Sequence, residues 1–163
     1  MPFHCSTCGG EHDGVPHIGN HYPDAYFDIP EDERTGRAEW TPDTCVIRYP
    51  DGLSHYFVRG AILLPVHDQP ADTFGFGVWA SLCRKDFEEY VSGAAQNPML
   101  GCLCTDLHCY HEATTALHVV VHPQAEGKRP LIDVELADHP LARDQRDGIT
   151  LDRAWEMVHH YLG

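Results

Sequence analysis

The chain has 163 residues, 42% of them hydrophobic, which suits one compact domain with a core of its own and excludes two full-sized domains or general disorder. Lys and Arg number 11 against 25 Asp and Glu, a formal net charge of −14 with the 13 histidines neutral. Such a chain repels phosphate backbones and anionic lipid, so neither nucleic acid nor a membrane surface is an expected partner.

Met1 to Cys5 lacks the basic and apolar regions of a secretory signal, and the most apolar run, Ala61 to Val66, is broken by Pro65 and too short to span a bilayer. A cytoplasmic protein is the expectation. Seven cysteines are an odd number, and in a reducing compartment thiols stay free or bind metal. Residues 1–23 are rich in Cys, His, Gly and Pro and poor in aliphatics, so they read as a metal knuckle laid on an α+β domain of residues 24–163, the two forming one unit.

Within the knuckle, Cys5-Ser6-Thr7-Cys8-Gly9-Gly10-Glu11-His12 carries the sharpest signal. Two thiols separated by two residues can face one ion across a tight turn, Gly9 lets the backbone fold back toward them, and His12 adds a nitrogen. Zinc suits this sulfur and nitrogen set. The Gly-Gly pair opposes the helix on which a redox C-x-x-C usually sits. Closure of a tetrahedron needs a fourth donor; His4 and His17 are local, and Cys104 or Cys109 is the expected choice among remote ones.

Residues 24–43 carry an acidic cluster around Pro30 and read as a surface arm with at most one helical turn. From Thr44 the pattern turns to short β-rich runs. Cys45 to Tyr49, the turn signal Pro50-Asp51-Gly52, and Tyr56 to Leu64 predict an antiparallel hairpin. Thr73 to Leu82 is a third strand, whose alternate glycines mark a bulge or a close backbone approach. Phe87, Tyr90 and Val91 define one face of a short helix from Arg84 to Val91. Gly101–Leu107, Ala116–Val121 and Leu131–Leu136 are further strands. Thr150 caps a last helix from Leu151 to Leu162, with Leu151, Trp155, Val158 and Leu162 along one stripe. The fold class is α+β, a mostly antiparallel sheet of five or six strands with one or two packed helices.

Cys102 to His122 is a second region dense in possible ligands, and Cys102, Cys104, His108, Cys109 and His111 form its most plausible cluster. His118 and His122 have helical i, i+4 spacing, yet the three valines between them favour a strand, on which the two rings stand roughly 13 Å apart and share no ion. No nucleophile-elbow, P-loop or dinucleotide-binding motif is present. Arg59, in the most apolar strand, and Arg129, beside Pro130, pair internally with carboxylates or wait for an anion. In the second case they line a small carboxylate or phosphate pocket with His139 and Gln145.

Several blocks in order resemble a bacterial family known as domain of unknown function 2199. They are Cys5-x-x-Cys8-Gly9-x-x-His12, Asp43-x-Cys45, Phe57-Val58-Arg59-Gly60, Phe76-Gly77-Val78-Trp79-x-Ser81-Leu82, Arg129-Pro130, and His139-Pro140-Leu141-Ala142-x-x-Gln145-x-x-Gly148-Ile149. The resemblance implies a one-domain bacterial protein with a zinc-ribbon-like start and carries no activity. The chain departs from it at Cys102 and at His108 to His111, so no metal stoichiometry is transferred.

Three functions follow from these residues. The expected one is a binding or regulatory module with structural zinc, whose partner is another protein or a small anionic ligand. A zinc hydrolase would need an open coordination position and a base from Glu11, Asp13 or His139. A zinc or copper handling protein would use the Cys/His excess at residues 102–109.

Overall fold

The computed structural model describes residues 3–12, 16–68, 73–125, 127–135 and 138–162. A two-stranded hairpin opens the chain, β1 (Phe3–His4) against β2 (Glu11–His12). The acidic arm holds more structure than one helical turn. It contains α1 (Asp24–Phe27), a 3-10 turn at Glu31–Glu33, α2 (Arg34–Arg37) and the strand β3 (Ala38–Trp40). β3 pairs with β4 (Thr44–Arg48), which forms the expected hairpin with β5 (Ser54–Pro65); Gly52, with φ of 89°, makes the turn between them.

β5 then starts a meander with β6 (Thr73–Leu82), β7 (Met99–Leu103), β8 (His118–His122) and β9 (Leu131–Val134), each antiparallel to the one before. In an up-and-down run of five, the first and last strands point the same way. The ring therefore closes through a parallel pair, Ala61 with Leu131, supported by a 3.0 Å hydrogen bond from Ala61 N–H to the Pro130 carbonyl. The expected mostly antiparallel sheet of five or six strands is thus seven-stranded, and instead of staying open five of its strands close a barrel. Nothing in local periodicity distinguishes the two, because closure is a pairing between strands about 70 residues apart.

Alternation along β5 and β6 builds two cores. Val58, Ile62 and Leu64 face Phe74, Phe76, Val78 and Ala80 inside the barrel. On the other side, Phe57 and Trp79 join Cys45, Ile47 and Ile29 in a smaller cluster beneath the arm. The alternate glycines of β6 mark a close approach. Ile18 N–H donates to the Gly75 carbonyl at 3.0 Å and Gly77 N–H donates to the Ile18 carbonyl at 2.7 Å. A Cβ on Gly75 would lie 2.8 Å from the His17 ring.

α3 (Arg84–Val91) lies as expected and packs Phe87 against Tyr56. α4 (Pro140–Asp147) was not anticipated, although proline at a first helical position after a capping side chain is a start signal. α5 (Leu151–Leu162) is capped by Thr150, whose hydroxyl accepts from Arg153 N–H at 3.1 Å. Its stripe holds for Leu151, Trp155 and Val158, but Leu162 is exposed; Ala154 and Met157 complete the buried face. In the Leu131–Leu136 strand Ile132 is buried, and Leu136 lies outside the described residues. Among the described residues no helix is long and apolar enough to cross a membrane.

Closure leaves no room at Gly60, where a Cβ would stand 2.7 Å from both the Pro130 carbonyl oxygen and Ile132 Cδ1. Gly60→Ala should therefore lower unfolding stability by about 1–3 kcal/mol in urea titrations. An open sheet would tolerate the methyl group at no cost.

Candidate metal centre

The knuckle is built by its backbone. Cys5 N–H donates to the Gly10 carbonyl at 2.8 Å and Gly9 N–H to the Cys5 carbonyl at 2.9 Å, a reversal that Gly9 permits with φ of 75°. The turn brings Cys5 and Cys8 to one side, and β2 adds His12. Gly10 N–H points at Cys8 Sγ from 3.4 Å. Desolvation pushes the fully buried Cys5 thiol up, but hydrogen bonds from Cys8 and Thr7 outweigh it and leave its pKa below the ordinary thiol value.

The fourth donor comes from the other end of the chain. His159, in the last turns of α5, places Nε2 3.6 Å from Cys5 Sγ, while His12 Nε2 lies 3.3 Å from Cys8 Sγ. One donor atom from each of Cys5, Cys8, His12 and His159 lies within 4.8 Å of every other. Ligands at ordinary zinc distances around a tetrahedron are about 3.3–3.8 Å apart, so this group fits a small metal ion with little movement. Asp152, Trp155 and His159 recur at i, i+3 and i+7, so a single face of α5 meets the knuckle. Ser6 donates through its hydroxyl to Asp152 Oδ1 at 2.6 Å. The His12 ring stacks on Trp155 with centroids 3.5 Å apart.

Cys104 and Cys109, the expected fourth ligands, lie elsewhere. Cys104 packs beside Cys45 in the cluster under the arm, with its N–H on the Trp79 carbonyl at 2.7 Å. Cys109 packs against the barrel core beside Tyr161. Burial pushes both thiols up and raises Cys45 to about 12, so all three are protonated hydrophobes near neutral pH. Asp24 N–H holds the Cys104 carbonyl, which ties the arm to the end of β7. His159 was missed because the sequence pattern assigns Trp155 to the core stripe. An imidazole four residues further on that face was the available signal.

The four-residue anion pocket does not form. His139 is the N-cap of α4: its Nδ1 accepts from Leu141 N–H at 3.0 Å, and Nε2 meets the Ala113 carbonyl at 3.1 Å. Gln145 plays a strand's part along β9, accepting from Val134 N–H at 2.7 Å and donating to the Ile132 carbonyl at 2.8 Å. Arg59 is buried under the arm, where Nη1 donates to the Pro42 carbonyl at 3.2 Å. The internal ion pair expected for Arg59 is also absent among the described residues, because the nearby Asp43 carboxylate is held by Arg129 at 2.8 Å. Of the possible general bases, Glu11 is exposed on β2, His139 is spent on the cap, and Asp13 lies outside the described residues. His118 and His122 do lie on a strand, where His122 bonds Asp133 at 2.9 Å.

Barrel and donor cluster together define an α+β fold with a Cys2His2 group able to hold a metal ion, formed by the knuckle at residues 5–12 and His159 of α5. The chain belongs to the family of uncharacterized proteins conserved in bacteria (DUF2199), whose model matches residues 4–149. Three of the four donors fall inside that stretch, and His159 lies beyond it. No curated protein and no solved structure matches the chain.

His139→Ala should cost about 1–3 kcal/mol of stability by removing a helix cap and stranding a carbonyl. Its metal content should equal that of the parent, as measured by elemental analysis; a lost equivalent would return His139 to the metal site.

Proposed function

We propose that the protein is a binding module whose N-terminal knuckle is held on the domain by one structural zinc ion, ligated by Cys5, Cys8, His12 and His159. The observation that carries this reading is the meeting of four donors from residues 154 positions apart, with Cys5 fully buried among them. Zinc suits two thiolates and two imidazoles in a tetrahedron, and four protein ligands close the coordination sphere. A hydrolytic zinc needs an open position for water, which this donor set does not supply. The metal-handling reading is weakened by the burial that keeps Cys45, Cys104 and Cys109 protonated.

Protein purified without added metal should contain one equivalent of zinc. Cys8→Ser and His159→Ala should each release it and expose residues 1–12 to protease, whereas Cys104→Ser and Cys109→Ser should retain it. Retention by His159→Ala together with loss from Cys104→Ser or Cys109→Ser would replace the proposed ligand set.

A further inference from the structure

Along one edge of β5, β4 pairs with residues 54–58 and β9 with Ala61, so the two neighbours part company at Arg59 and Gly60. The fork is bridged by the Asp43–Arg129 ion pair. Beside it opens a cleft of about 670 Å³, within the range of small-molecule sites, lined by β4, the end of α3 and the loop before β9. Asp43, Thr44, Tyr90, Gln96, Lys128 and Arg129 supply its polar groups.

From this placement we infer that the cleft binds a small molecule through its carboxylate or phosphate group, with Arg129 as the principal contact and Lys128 beside it. Charge supports the assignment. Among the described residues, Arg59, Lys128 and Arg129 stand here against Asp43, a local excess of cations in a chain of net charge −14. Arg129 engages Asp43 through Nε alone among the described contacts, so its terminal nitrogens keep the forked geometry that matches a carboxylate or phosphate. Behind Asp43, Arg59 is 6% exposed, has no carboxylate partner among the described residues, and keeps a buried Nε without a hydrogen bond. Its N–H and Nη1 hold the carbonyls of Asp43 and Pro42, which fixes the segment that presents the Asp43 carboxylate to Arg129. Tyr90 is half-buried beside the pair, and burial holds its hydroxyl protonated as a further donor. Asp43 thus occupies one side of Arg129 and competes with any anion for it.

This inference gives the binding-module reading a ligand class but uses none of the four metal donors, so metal content and anion affinity report on the two separately. The test is a thermal-shift titration of the full chain with inorganic phosphate and with malonate, against chloride at matched ionic strength. The parent should be stabilised by at least one of the two anions beyond chloride. Arg129→Gln should weaken the apparent affinity about tenfold or more, Lys128→Gln less, and Asp43→Asn should strengthen it by freeing Arg129. Lys128→Gln touches no described hydrogen bond and guards against a fold defect in Arg129→Gln. Stabilisation no greater than by chloride, or equal affinities in the parent and both cation variants, would overturn the proposal.

Discussion

Residues 4–12 contribute one fully buried side chain, Cys5, and the hairpin's strands have two residues each, too little to fold alone. They dock on the face of α5 that carries Asp152, Trp155 and His159. The contact joins the knuckle to the main core, since Cys5 belongs to the same buried cluster as Phe76, Trp155 and Val158. An ion shared by Cys5, Cys8, His12 and His159 would tie the two ends of the chain together, and metal affinity would become folding free energy for the knuckle. Without an ion, the contact is left with one aromatic stack, the Ser6–Asp152 hydrogen bonds and the burial of Cys5.

A second constraint shapes the rest. Five meandering strands close only through a parallel pair, and here the long β5 serves both the barrel and the outer strands β4 and β3. Sharing one edge between β4 and β9 produces the fork at Gly60, and the fork produces the cleft bridged by Asp43 and Arg129. Ion pairs as exposed as this one contribute at most about 1 kcal/mol, so its position at a cleft matters more than its strength. The polar side chains that sequence reasoning grouped with it serve the fold instead: His139 starts α4 and Gln145 fastens that helix to β9.

Most strand positions and the β4–β5 hairpin were legible from β-rich runs bounded by turn residues. Phe74, Phe76 and Val78 point inward with Gly75 and Gly77 between them, and the glycines announced the crossing backbone of residues 17–19. Barrel closure was not legible, since it rests on one long-range pairing. Three of the four residues of the Cys2His2 group stood in one motif, whose spacing is itself the chemical signal. The fourth was hidden because Trp155 serves two purposes, packing on the core and stacking on His12, so its helical face looked apolar when it is the docking face. Cys104 and Cys109 misled for a related reason: the fold packs each against an apolar cluster away from the knuckle, a placement invisible in composition.

X-ray absorption at the zinc edge of the purified protein tests the central claim most directly, because it reads the ligand set without mutation. The zinc should show four neighbours, two sulfur and two imidazole nitrogen scatterers at about 2.3 and 2.0 Å. A shell with three or more sulfurs, or one completed by water oxygen, would contradict the joining of the two chain ends by a closed metal centre.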